Sequence, residues 1–168
     1  MRFRNLFTLL LISLLVSSHA FARSEPEESG MHFAHFIEVI TDNIENLKAG
    51  RICIIGSDEI SKFFRRRPLT IDIKAKIKKF AICNTIYVSQ DQHKDFYRRI
   101  DEFTNKRIFT IAAFDNFVEN GGMMEIRLGR KSFELIVNSE SLKRADLKLN
   151  TSISSLTQNT SKDNKKLP

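Results

Sequence analysis

The sequence predicts an α/β fold: a mostly parallel sheet flanked by helices, with a C-terminal antiparallel hairpin. Three observations lead there. Segments of helical period alternate with short apolar runs, in the order helix, strand, helix, strand, strand, helix, strand, as a parallel sheet with crossover connections requires. The run Arg51–Ile55 (RICII) is almost wholly apolar, which suits a strand buried on both faces. The stretch Gly121–Leu149 (GGMMEIRLGRKSFELIVNSESLKRADLKL) holds two apolar runs, Met123–Leu128 and Phe133–Val137, parted by Gly129-Arg130-Lys131, and reads as a β-hairpin.

The first 22 residues stand outside that fold. Arg2 and Arg4 form a basic start, Leu6–Val16 an apolar run too short for a membrane span, and Ala20-Phe21-Ala22 a small-residue cleavage site. A secretory signal peptide is the expectation, and export to an oxidising compartment follows from it. Residues 23–30 (RSEPEESG) read as a polar linker, residues 31–156 as one domain, and residues 157–168 as a disordered tail.

Met31–Leu47 predicts the first helix, with Phe33, Phe36, Ile37, Ile40, Ile44 and Leu47 on one apolar face. After Arg51–Ile55, Gly56-Ser57-Asp58 leads into a helix through Ile60, Phe63 and Phe64, stopped at Pro68. A single glycine with Asp58-Glu59 beside it is a poor phosphate cradle. Leu69–Ile73 alternates like an edge strand. Lys74–Lys79 reads as a connection and Ala81–Val88 as the next strand. Gln90–Thr104 predicts an amphipathic helix with Phe96, Ile100 and Phe103 inward, and Arg107–Ala113 a further strand. In the hairpin, Phe133, Leu135 and Val137 alternate with Ser132, Glu134 and Ile136, giving one apolar face. Ser139 or Asn138 then caps a short helix, Glu140–Ala145.

Charge and cysteine usage narrow the function. The formal charge is +7 for the whole chain and +5 once Arg2 and Arg4 leave with the signal peptide. For an exported, mildly basic chain this argues against nucleic acid and suits an acidic protein surface or lipid headgroups, although a solvated surface accounts for it as well. Arg65, Arg66 and Arg67 are the densest cluster, with Lys62, Lys74, Lys76, Lys78 and Lys79 near them in sequence. Two cysteines, Cys53 and Cys83, in an oxidising compartment suggest one disulfide, with two buried free thiols as the alternative. His32 and His35 are too few for a metal site, and no cofactor is expected. Motifs of serine hydrolases, zinc proteases and nucleotide sites are absent.

Beyond these readings, several segments carry a resemblance. The Gly121-Gly122-Met123 opening, the glycine-centred turn, the strand ending Leu135-Ile136-Val137-Asn138 and the Ala145-x-Leu147-Lys148-Leu149 segment resemble the C-terminal signature of YfiR/HmsC-like periplasmic proteins. Asp146 stands where that family usually has Gly. The helix MHFAHFIEVI, the strand Ile52-Cys53-Ile54-Ile55-Gly56 and the strand around Cys83 resemble its earlier segments. The resemblance implies regulation rather than catalysis: an exported protein that binds the periplasmic sensor region of an inner-membrane diguanylate cyclase, restrains it, and so lowers cyclic di-GMP and biofilm formation. It also implies that Cys53 and Cys83 support the fold, and that Gly121, Gly122 and Met123 shape the turn into the hairpin.

Candidate contact residues for a partner are Met123 and Met124, which adapt to apolar surfaces, and Arg65, Arg66 and Arg67. Pairing of an edge strand or of the first helix with its copy would give a homodimer. The rival reading is a periplasmic small-ligand-binding module, which needs a pocket, as at the ends of the parallel strands. A further rival, an exported enzyme without a recognisable motif, needs buried titratable groups in a cleft.

Overall fold

A computed structural model describes residues 25–57, 59–128 and 133–159. Residues 1–24, which include the expected signal peptide, Asp58, residues 129–132, where the hairpin turn is expected, and residues 160–168 lie outside the described residues. Among the described residues no helix is long and apolar enough to cross a membrane.

The chain opens with α1 (Glu25–Asp42), so helix occupies most of the segment expected to be linker. It also ends earlier than its apolar period suggests. Asn43 donates its side-chain amide to the Val39 carbonyl at 2.8 Å and so satisfies a C-terminal group of the helix. Ile44 stays in the core but in a strand, β1 (Ile44–Glu45), paired antiparallel with β8 (Lys148–Leu149). Tertiary pairing prevails there over helical period.

The main sheet contains β2 (Arg51–Ile55), β3 (Leu69–Thr70), β4 (Cys83–Val88), β5 (Phe109–Ala112), β6 (Met124–Leu128), β7 (Phe133–Val137) and β9 (Thr157–Asn159). Their spatial order is β3-β2-β4-β5-β6-β7-β9. Every pairing is parallel except β6 with β7, the expected hairpin, in which Met124 faces Val137 and Leu128 faces Phe133. The fold is therefore α/β with a mostly parallel sheet. The hairpin does not form the edge, because β9 pairs with β7 where the sequence reads as disordered tail. That makes β7 an interior strand, and Ile136 is buried together with Leu135 and Val137 rather than facing solvent.

Both faces of the sheet are covered. Phe33, Ile37 and Ile40 of α1 pack with Ile52, Ile54, Phe109 and Ile111 on one face. On the other, Phe80, Phe96 and Phe103 pack with Cys53, Ile86 and Val88. The segment expected as one helix over Gln90–Thr104 is broken into a 3-10 turn (Gln90–Gln92), α2 (His93–Tyr97) and α3 (Ile100–Asn105). The break sits at Arg99. Its guanidinium reaches the carbonyls of Ile73 and Ala75 and lies over the rings of Phe80 and Phe103, 5.3 and 5.4 Å from their centroids. Phe96, Ile100 and Phe103 are buried as the period required. Two other elements are shorter than expected. Glu59–Phe63 is a 3-10 turn, and Ile77–Ile82 is another, so β4 begins only at Cys83 and Ile82 is half exposed.

Candidate functional site

Cys53 and Cys83 form a disulfide between neighbouring parallel strands, with Cα atoms 5.7 Å apart. The ladder between β2 and β4 shifts register between Arg51 and Ile52, so Cys83 lies opposite Arg51 rather than Cys53. Both cysteines are fully buried on the α2/α3 face. The bond is part of the core and is not presented to a partner.

The Gly-Gly-Met segment is also internal. Gly121 has φ +98, a left-handed conformation that suits glycine. Gly122 lies flat against the Phe117 ring, where any Cβ would collide. Met123 and Met124, the candidate adaptable contacts, are both fully buried in the α1-side core. Neither reaches the surface a partner would touch. The hairpin entry is packed between β5 and β7, and interior packing takes the whole of both side chains.

Beside this segment Asn138, between β7 and α4 (Ser139–Arg144), caps the helix: its Oδ1 accepts from the Ser141 amide at 2.9 Å. Its Nδ2 donates to the Val118 carbonyl, and Ser141 Oγ donates to the Gly121 carbonyl at 2.9 Å. Asp146, just after that helix, has φ 56. Aspartate tolerates this conformation better than most residues. The signature residues thus hold the backbone in place, and no reactive group is assembled from them.

Arg65, Arg66 and Arg67 are exposed between the Glu59–Phe63 turn and the edge strand β3. Arg66 forms a two-point ion pair with Asp42 of α1, one bond being 2.7 Å, and its backbone N–H donates to buried Glu38 at 2.8 Å. Arg66 therefore staples the turn to α1, which leaves Arg65 and Arg67 as the members able to meet a partner. Lys74, Lys76, Lys78 and Lys79 are exposed on the connection from β3 to β4.

One buried charge was not anticipated from sequence. Glu125 of β6 is fully buried. Its carboxylate accepts from Arg127 Nε and, at 3.3 Å, from the Val118 amide. Arg127 also approaches Asp115 at 3.6 Å. Burial, with Glu125 nearby, pushes the Tyr97 phenol up from 10.0. The sequence signal was an acid alternating with Met124 and Ile126, which reads equally well as a solvent face. Among the described residues no group of three or more His, Cys, Asp or Glu could hold a metal ion.

Cavities flank the sheet among the described residues. One of about 630 Å³ opens near the carboxyl ends of β5 and β6, with Phe33, Phe114, Asp115, Arg127 and Glu134 in its walls. Another of about 610 Å³ lies between α4, β8 and β9, over Val137, Leu142 and Leu147. Ligands of open parallel sheets favour the switch point where strand order reverses, here between β2 and β4. That position is filled: Ser89 Oγ donates to the Ile55 carbonyl at 2.7 Å and packs against Gly56, whose φ is +97.

A family model described as YfiR/HmsC-like matches residues 30–158. No curated protein matches the chain. Among solved structures, a conserved domain protein from Vibrio cholerae O1 biovar El Tor is similar in fold, with a TM-score of 0.54 and 10% identity. The match covers 79% of this chain and 60% of that one, so this chain spans about three fifths of its length.

Proposed function

The chain belongs to the YfiR/HmsC-like family, and from that premise we propose that it is a non-enzymatic regulator exported to the periplasm. There it binds the periplasmic sensor region of an inner-membrane diguanylate cyclase and holds that region in its inactive arrangement. A partner bound more tightly in one state than the other shifts the population towards that state. Less active cyclase means less cyclic di-GMP and less biofilm. The observation that carries this reading is the family match over residues 30–158, nearly all of the predicted mature domain. The Cys53–Cys83 disulfide supports an oxidising compartment. Arg65 and Arg67 are the proposed contacts for acidic groups on the sensor region, and a homodimer through α1 or an edge strand belongs to the same proposal.

The test is cross-linking in intact cells followed by identification of what the exported chain holds. Recovery of a membrane cyclase through its periplasmic segment supports the reading. If such a cyclase is expressed and is never recovered, the reading fails.

A second reading, a small-ligand-binding module, is favoured by the cavity of about 630 Å³ near the strand ends, a size usual for small-molecule sites. Screening metabolites against the purified chain by thermal shift, with Glu134→Ala as the control that alters the cavity wall, distinguishes it.

A further inference from the structure

β4 lies between β2 and β5 in the parallel part of the sheet. Three segments lead into the amino ends of these strands: residues 46–51 (NLKAGR), 76–82 (KIKKFAI) and 105–107 (NKR). Contacts join them into one rim. A Cβ on Gly50 would stand 2.9 Å from the Ile82 carbonyl oxygen, and Lys48 Nζ donates to the Ala81 carbonyl at 3.4 Å. Burial first, and Lys106 second, push the Lys48 ammonium below the usual 10.5, so Lys106 stands near Lys48 across the end of β4. The three segments carry seven Lys and Arg and no carboxylate. Lys48, Arg51, Lys76, Lys78, Lys79 and Lys106 make no ion pair among the described residues, while Arg107 pairs with Asp146 at 3.1 Å. Arg66 and Arg67, next to Arg51, are offset by Asp42 and Glu38, and Arg99 is offset by Glu102. Setting the remaining nearby carboxylates, Glu45, Asp72 and Asp146, against the seven cations still leaves four positive charges. In the middle of the rim Ile82 is 50% exposed; among the described residues only Leu156 is a more exposed large hydrophobic side chain. Ala49, Gly50 and Ala81 beside it are exposed as well.

We propose that this rim docks on a lipid bilayer whose surface carries anionic phosphate headgroups. The inference goes beyond the regulatory reading, which needs no contact with lipid. Charge complementarity calls for an anionic partner, and the residue types choose lipid over an acidic protein. Lysine is depleted from the buried core of protein interfaces, and fixing its long stem costs rotamer freedom. A fluid headgroup layer asks for no fixed geometry. The ammonium groups stay hydrated among the phosphates while their stems cover the apolar surface around Ile82. Each lysine near an anionic bilayer adds about fivefold to affinity, so a surplus of four gives measurable attraction. Ile82 adds the second signal: at the point of contact it reaches the boundary between headgroups and acyl chains, which charge alone does not.

The experiment is vesicle sedimentation of the exported chain at about 0.1 M salt, with vesicles of phosphatidylcholine alone and with roughly 30% phosphatidylglycerol added. Binding to the anionic vesicles is expected to be at least about tenfold tighter than to the neutral ones, and to be lost at about 1 M salt. Lys79→Glu combined with Lys106→Glu is expected to weaken it at least about tenfold. Ile82→Ser is expected to weaken it about threefold or more. Lys62→Glu combined with Lys94→Glu makes the same change of charge beyond the opposite, carboxyl ends of β2 and β4, and is expected to weaken binding less than about threefold. All five positions are exposed, so Tm is expected to stay unchanged in each variant. No preference for anionic vesicles overturns the proposal. So does an equal loss in the two charge-reversal pairs, because net charge alone would then account for binding. Vesicle binding that survives in the rim variants, while their retention on immobilised polyglutamate falls, overturns it in favour of an acidic protein.

Discussion

Asn138 donates its side-chain amide to the Val118 carbonyl at 2.8 Å. The same residue accepts from the Ser141 amide at 2.9 Å and, through its backbone N–H, donates to the Met123 carbonyl at 3.0 Å. One residue therefore fixes the end of β7, the start of α4, the entry to β6 and the turn before it, the side chain holding the cap and the turn and the backbone N–H the entry to β6. An asparagine closing the last strand of the hairpin has a structural cause: only a side chain with both a donor and an acceptor on one short stem makes all the side-chain bonds.

Asn138→Ala is expected to lose both side-chain bonds and to destabilise the domain by about 2–3 kcal/mol. Asn138→Asp keeps the cap and loses the donor to Val118, so its loss is smaller. Urea unfolding of the three proteins gives the order wild type, Asp, Ala. Equal stability of Asp and Ala would show that the cap contributes nothing.

Gly121 and Gly122 resist side chains for different reasons. Gly121→Ala meets only ordinary contacts with Ile100, so its cost is that of the left-handed backbone, about 1–2 kcal/mol. Gly122→Ala drives a methyl into the Phe117 ring, an overpacking that costs about 1–3 kcal/mol. Phe117→Leu should therefore rescue Gly122→Ala in part and leave Gly121→Ala unrelieved. A double-mutant cycle by denaturant unfolding measures both couplings.

Asp146→Gly is expected to be neutral or stabilising by up to about 1 kcal/mol, since glycine adopts φ 56 without strain. The change also removes the Arg107–Asp146 pair at 3.1 Å, in which both side chains are more than half exposed and which contributes little. A fall in Tm of several degrees would show that this pair matters more than the backbone.

Alkaline pH is expected to weaken the fold through Tyr97. Its pKa is raised in the folded state, by burial first and by Glu125 second. Above pH 10 the unfolded chain releases the phenolic proton more readily than the folded one, so stability falls as pH rises from there through the folded value. Below pH 10 the contribution is fully present. Tyr97→Phe should flatten this limb of the stability–pH curve and leave the curve below about pH 9, one unit under the ordinary tyrosine value of 10.0, unchanged in shape.

Reduction of the disulfide gives a further outcome. The bridge spans 30 residues of sequence, and opening it should cost about 3–4 kcal/mol on the chain-entropy model. Because both sulfurs are buried, reductant should act slowly without denaturant and quickly with it. Thiol titration against time measures this.

Much of the sheet was legible because its strands are short apolar runs bounded by Gly, Pro or Asn. RICII, RIFTIAA and the two halves of the hairpin mark β2, β5, β6 and β7 to within a few residues. What misled were long-range partners that no local pattern encodes. Ile44 and Leu47 keep helical period with Ile40, yet β8 draws Ile44 into a strand. Arg99 lies on the polar side of a good amphipathic helix, yet its reach to Ile73 and Ala75 accompanies a break. Thr157–Asn159 is polar and gains its order from β7. At the candidate site, the cysteine pair was legible from compartment and count. Met123 and Met124 were not, because a methionine on an adaptable surface and one in a core look alike in sequence.

The most direct test of the regulatory reading is intracellular cyclic di-GMP in cells with and without this protein, in a strain shown to express a membrane cyclase with a periplasmic segment. Deletion is predicted to raise cyclic di-GMP, and the full chain is predicted to restore it while a form lacking residues 1–22 does not. An unchanged level on deletion, or restoration by the form that stays in the cytoplasm, would contradict the proposal.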